Sequence, residues 1–226
     1  FLPLLLLPGV AHAADVADAG ETIVVTATRS EQPLSRVGQS ISVIDADKIA
    51  TRQSASIAEL LQDLPSIAFA RNGGPGALTS VFVRGASADE TIVLIDGVKL
   101  NDPSSTAGGF FFGDLLTGNI ERIELLRGSQ SVLWGSQSIG GVVNLITRTP
   151  TDQLAVNAKA EYGWRDTANL VANVSGKAGP VSASVGGGYM RTDGISAFSE
   201  ARGGTERDGY RNYGANAKFA IELSDA

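Results

Sequence analysis

Residues 154–163 read Leu-Ala-Val-Asn-Ala-Lys-Ala-Glu-Tyr-Gly, with Leu154, Val156, Ala158, Ala160 and Tyr162 at every second position. The same period recurs downstream. Ala168, Leu170, Ala172 and Val174 alternate with Asn169, Val171, Asn173 and Ser175. Val181, Ala183, Val185, Gly187 and Tyr189 alternate with Ser182, Ser184, Gly186 and Gly188. Tyr213, Ala215, Ala217, Phe219, Ile221 and Leu223 alternate with Gly214, Asn216, Lys218, Ala220 and Glu222. Successive side chains of a strand point to opposite faces, so each run has one apolar face and one small or polar face. Each run is close to the roughly 9–11 residues with which a tilted strand crosses a bilayer. The alternation predicts antiparallel strands with a lipid side and an aqueous lumen side.

The aromatic residues support a membrane over a soluble β-sandwich, which would alternate equally well. Tyr162 and Trp164 end the first run, Tyr189 ends the third, and Tyr210 and Tyr213 begin the fourth. In an up-and-down meander these positions share one end, as the aromatic girdle of a barrel does. Ala178-Gly179-Pro180, at the opposite end, reads as a tight turn, whereas residues 192–208, at the girdle end, form a long polar connection. Short turns mark the periplasmic side of such barrels and long loops the outside. Four strands do not close, since the smallest such barrels have about eight. The expectation is the opening portion of a larger barrel, residues 150–226.

Before Pro150 the texture is different. Ser40–Ile44 reads as a strand, and Asp45 can cap a helix starting at Ala46. Ser56 with Glu59 three residues later reads as a capping box. Ile57, Leu60, Leu61 and Leu64 then form a helical core stripe that Pro65 stops. Val81–Val83, Ile92–Ile95, Val98–Leu100, Ile120–Leu126 and Val142–Thr147 read as short strands, with Asp96-Gly97 a hairpin signal. Short strands mixed with helices predict a small α+β domain over residues 31–149. Phe110-Phe111-Phe112 is read as packing beneath its loop, with contact to an apolar ligand as the alternative.

The net charge of −6 argues against a nucleic-acid partner, and the absence of cysteine removes disulfides and thiolate metal sites. Phe1–Val10 is an apolar run followed by Ala11-His12-Ala13, a small-x-small pattern, so residues 1–13 are read as the remnant of a secretory signal. His12 is the sole histidine. A histidine base is therefore absent beyond the signal. Gly74-Pro75-Gly76-Ala77-Leu78-Thr79 lacks the last glycine of a dinucleotide loop, and no Gly-Lys-Ser/Thr phosphate loop occurs. No enzymatic constellation emerges. A passive porin or adhesin would explain the strands but leave the domain before them without a role.

Four stretches, in order, resemble the TonB-dependent outer-membrane receptor family. They are Glu21-Thr22-Ile23-Val24-Val25-Thr26-Ala27; Val81-Phe82-Val83-Arg84-Gly85 with Val93–Val98; Ile120–Gly128; and Leu133-Trp134-Gly135-Ser136 with Gly140–Thr147. Within the family the wording is most similar to its cobalamin-receptor branch, through residues 72–76, 95–101 and 21–27. The resemblance implies an α+β plug domain followed by the first four antiparallel strands of a truncated transmembrane β-barrel. It implies a Ton box at Glu21, Thr22, Ile23, Val24, Val25, Thr26 and Ala27, in a segment 14–30, that pairs as a mobile strand with the TonB energy-coupling protein; on composition alone the same β-branched run reads equally as the first strand of the following domain. Apical loops would meet a large scarce nutrient, cobalamin or a ferric siderophore, through Asn72, Gly73, Gly74, Pro75, Gly76 and Ala77 and through Asn101, Ser104 and Ser105. Arg84, Arg127, Glu121 and Glu124 are expected to pair with one another and with the barrel wall, with ordinary solvated strand charges as the alternative. Glu206-Arg207-Asp208-Gly209 resembles an outer-loop calcium region, which would make Glu206 and Asp208 ligands, although Arg207 intrudes. No other cofactor is expected. The complete receptor is expected to be a monomer in outer-membrane lipid.

Overall fold

The computed structural model describes residues 22–26, 28–104 and 108–223. The expected signal remnant 1–13, and Glu21, Ala27 and Ser105 among the expected site residues, lie outside them. In chain order the elements are strands β1 (Ile23–Val24), β2 (Gln32–Pro33) and β3 (Ser40–Ile44), helices α1 (Ala46–Arg52) and α2 (Ile57–Gln62), and strands β4 (Ile67–Arg71), β5 (Thr79–Val83), β6 (Thr91–Ile95), β7 (Val98–Lys99) and β8 (Ile120–Arg127). Helix α3 (Ser131–Trp134) follows, then β9 (Gly141–Thr147), β10 (Ala155–Gly163), β11 (Thr167–Ala178), β12 (Val181–Thr192) and β13 (Tyr210–Ile221). No helix among the described residues is long and apolar enough to cross a membrane.

The first domain is built on a five-stranded sheet of order β3-β8-β9-β6-β7, in which β6 and β9 are parallel and the other pairs antiparallel. One face of this sheet, with Val93, Ile123, Leu125, Val143 and Leu145 wholly buried, packs on Ile57, Leu60 and Leu61 of α2 and on Val81 and Val83 of β5. The stripe expected on α2 is thus the core contact. The other face buries Ile92, Leu94, Leu126 and Val142 beneath Val37, Ile41 and Trp134. Phe112 is buried and meets Phe110 edge-on with ring centroids 4.9 Å apart, whereas Phe111 is partly exposed. Two of the three phenylalanines therefore pack.

Local signals behaved as their chemistry requires at Asp45, whose carboxylate accepts from the Lys48 N–H at 2.8 Å. At Asp96-Gly97 both residues take positive φ, 47° and 83°, as a tight two-residue hairpin demands. The capping box at Ser56 does not form. The Ile57 N–H donates instead to the Leu115 carbonyl at 3.1 Å, the Ser56 hydroxyl is left without a partner, and Glu59 turns to Ser54 and Arg71. A neighbouring strand-like contact between Ser56 and Leu116 replaces the cap.

β10–β13 form a four-stranded antiparallel sheet in sequential order. Its outward face carries Val156, Tyr162, Leu170, Val174, Val181, Val185, Tyr213, Phe219 and Ile221, all exposed. The opposite face buries Asn169, Asn173, Ser175 and Ser184 against the first domain. The sheet is unclosed, and Gly179 takes the positive φ of the expected tight turn, 60°. The register sets Tyr189 opposite Tyr213 and Tyr162 opposite Ala168, which places these aromatics at one end. Tyr210 departs from the expected girdle. It lies three residues from Tyr213, so it faces inward, where its hydroxyl donates to Asp114 at 2.9 Å.

Candidate functional site

The N-terminal segment lies on the second face of the plug sheet. Ile23 and Val24 pair with Pro33 and Gln32, and the Leu34 N–H donates to the Thr22 carbonyl at 2.7 Å. Ile23 is 39% exposed, whereas Val24 and Thr26 are fully buried. The run is therefore a docked strand of two residues ending in a turn at Thr26, shorter than its β-branched composition suggests. The Glu124 carboxylate receives it. One oxygen, Oε2, accepts from the Val25 N–H at 3.0 Å, the Thr26 N–H at 2.8 Å and the Thr26 hydroxyl at 2.5 Å. The other, Oε1, accepts from Arg122 Nε at 2.8 Å, and the Glu124 side chain has no exposed surface. The Trp134 indole N–H donates to the Thr26 carbonyl at 3.1 Å, and the Arg29 guanidinium lies 4.3 Å from the Trp134 ring centroid.

These contacts correct the expectation that the plug charges pair with one another. Glu124 pairs with Arg122 and the N-terminal segment, while Glu121 accepts from the Thr149 N–H at 2.9 Å. Arg127 donates to the Pro65 carbonyl at 3.0 Å and to Ser42 at 2.8 Å. The Arg84 side chain lies beside Gly128. The hydrogen bonds described between plug and wall come instead from one face of β13. Tyr210 and Asn212 meet Asp114, Asn216 meets Asn119, and Lys218 Nζ donates to Asp96 at 3.1 Å and to the Thr147 carbonyl at 3.3 Å. Neutral amides and one half-buried ion pair dominate this seam.

The two expected apical loops have different fates. Residues 72–77 lie at the girdle end, with Gly76 against the Tyr210 ring and the Ala77 carbonyl beside Gly113. Asn72, Gly73 and Pro75 are exposed there, near exposed Leu78 and Phe111. The cations at the margins are engaged, Arg71 with Glu59 at 3.1 Å and Lys99 with Gln137. Asn101, by contrast, is buried and presents nothing to a ligand. Its Oδ1 accepts from the Val93 N–H at 2.9 Å, and its Nδ2 donates to the Thr91 and Gly108 carbonyls at 3.0 Å each. A buried amide that satisfies three backbone groups is a structural strut. Ser104 is exposed but folds back on Asp102, to which its N–H and hydroxyl both donate.

The expected calcium ligands do not converge. Asp208 accepts from the Ala197 N–H at 2.5 Å, Glu206 from the Thr205 N–H, and Asp193 pairs with Arg207 at 3.2 Å. Among the described residues no group of three or more acidic, histidine or cysteine side chains could hold a metal.

A small α+β domain held by polar contacts on the inner face of an outward-apolar antiparallel sheet is the architecture of a plugged outer-membrane barrel. Residues 33–142 match the family described as TonB-dependent Receptor Plug Domain. The vitamin B12 transporter BtuB of Photobacterium profundum is 35% identical over 223 residues, 98% of this chain and 36% of that protein. The vitamin B12 transporter BtuB of Vibrio vulnificus is 33% identical over 221 residues, 95% of this chain and 34% of that protein. Among solved structures, FpvAI in its complex with pyocin S2 is similar with a TM-score of 0.72 at 19% identity, over 92% of this chain and 27% of that one. The siderophore receptor PirA of Acinetobacter baumannii is similar with a TM-score of 0.63 at 22% identity, over 82% of this chain and 29% of that one. The chain belongs to the TonB-dependent receptor family and is an outer-membrane protein. It spans about a third of the length of the curated relatives it matches.

Proposed function

We propose that the complete protein is an active-transport receptor that captures cobalamin outside the cell and moves it across the outer membrane, driven by TonB acting on residues 21–27. The observation that carries this reading is identity of about a third with vitamin B12 transporters across nearly the whole chain. The chemistry of the apex supports it. Asn72 and the glycine-rich backbone of residues 73–77 offer neutral donors and acceptors, which suit a ligand fringed with amides. Arg71 and Lys99, the cations that an anionic catecholate would want, are already engaged. Asn101 no longer belongs to this argument. A ferric-siderophore receptor is the second reading, favoured by the backbone likeness to siderophore receptors. A short β-branched segment, once released from the plug, suits strand addition to a coupling protein.

Equilibrium binding of cyanocobalamin and of a neutral ferric hydroxamate to the complete receptor tests the substrate. Tight siderophore binding without corrinoid binding would overturn cobalamin and leave active transport standing. A proline at Ile23 removes a donor and restricts φ. It should abolish uptake while sparing ligand binding, and normal transport by that variant would remove the coupling role.

A further inference from the structure

Every polar group of Thr26 is bonded to the plug. Its N–H and hydroxyl go to Glu124 Oε2 and its carbonyl takes the Trp134 indole N–H. Val24 and Thr26 are fully buried, and the Thr22 end is held separately, by the Leu34 N–H and by β2. Glu124 sits in the middle of β8, between Ile123 and Leu125, both wholly buried. Stability alone does not call for a charge there, since well-packed apolar residues commonly serve as well as a buried ion pair. A carboxylate has a different property. When the segment leaves, water can replace its three hydrogen bonds, whereas an apolar clamp would be left as bare hydrophobic surface.

We infer that Glu124 is a positioning residue for the coupling segment: its buried carboxylate holds Val25 and Thr26 on the plug sheet, and the strength of that hold sets how readily the segment is surrendered to the periplasmic partner. The inference rests on the coupling role proposed above. Arg122 keeps the carboxylate aimed by occupying the oxygen that the segment does not use. Trp134 closes the turn from the other side, with Arg29 stacked on it. The hold on Thr26 is therefore a directional one, made by hydrogen bonds from two sides.

The test uses the complete receptor in lipid, with Glu124→Gln, Thr26→Val and the pair together. Amide hydrogen exchange is followed at Val25 and Thr26, with Leu125 and Val143 as plug-core references, alongside binding of the purified TonB C-terminal domain. Glu124→Gln should accelerate exchange at Val25 and Thr26 at least tenfold and leave Leu125 and Val143 within a factor of two. Thr26→Val, which alters no residue of the five-stranded sheet, should accelerate Val25 at least threefold. The double variant should fall short of the product of the two, because they share one hydrogen bond. TonB-domain affinity should rise in step with exchange. Unchanged exchange at Val25 and Thr26, or equal acceleration at Leu125 and Val143, overturns the inference, the second by showing only a loosened plug. Absence of TonB-domain binding in every version refutes the coupling role itself and, with it, the functional half of the inference.

Discussion

Replacing Asn101 by alanine separates a ligand contact from a strut. The side chain is 7% exposed and satisfies the Val93 N–H and the Thr91 and Gly108 carbonyls. Truncation leaves one buried donor and two carbonyls short of a partner. An unmet buried group costs about 1–3 kcal/mol, and the donor suffers most because each carbonyl keeps a second lone pair. A loss of about 3 kcal/mol in local stability follows, equivalent to roughly 100-fold in an opening equilibrium. Hydrogen exchange at the Val93 amide of the complete receptor reads that factor directly. Asn101→Asp should be as damaging, since it retains the acceptor for Val93 but turns an acceptor toward two carbonyls. If Val93 exchange rose less than about threefold, under 1 kcal/mol, while ligand affinity fell, the strut argument would be refuted and the residue returned to the ligand surface.

Other substitutions test the membrane face, the seam and the apex. Val185→Lys, on the outward face midway along β12, should cost about 2–4 kcal/mol in lipid, read as a lowered urea midpoint for the complete receptor; no shift would place that face away from lipid. Lys218→Met should cost under about 1 kcal/mol, because Asp96 keeps its bonds from the Thr147 N–H and hydroxyl. Asp96→Ala should cost about 2 kcal/mol more, since it frees the Thr147 amide as well; equal urea midpoints for these two variants would contradict the bonding described. Gly76→Val combines a positive φ of 77° with a Cβ driven into the Tyr210 ring. It should displace the loop and speed tryptic cleavage after Arg71, and unaltered cleavage would show that the loop does not lean on Tyr210.

Strand period, turn chemistry and helix stripe were legible because each is local. Alternation needs only neighbours two apart, Asp96-Gly97 needs only its own φ angles, and Leu60 and Leu61 need only a helical repeat. The inward turn of Tyr210 was also readable, because three residues separate it from Tyr213 and a strand then sends them to opposite faces. Glu124 was not readable. Its partner Thr26 lies 98 positions away, and nothing near either residue announces the other. Asn101 misled for the same reason, since an amide in a loop gives no sign of whether it faces water or the backbone of β6. Ser56 lost its cap to Leu115, another distant segment. Misreadings gather where a polar side chain could choose between solvent and a remote partner.

The order β3-β8-β9-β6-β7 has a consequence for how the chain assembles. Two of its three interior strands, β8 and β9, are the last of the domain to appear in the sequence. β3 finds its neighbour only in β8, pairing Ser40 with Arg127, and β6 needs β9, pairing Thr91 with Gly141. Closing such long loops before any contact rewards them is slow. Short helices and the β4–β5 and β6–β7 hairpins can form early, but β3 and the β6–β7 hairpin cannot be joined into one sheet until residues 120–147 are available. A nascent or translocating chain therefore carries its first hundred residues without a completed core. It stays extended for longest in its leading stretch, and it commits to a compact form only when the rear of the domain arrives.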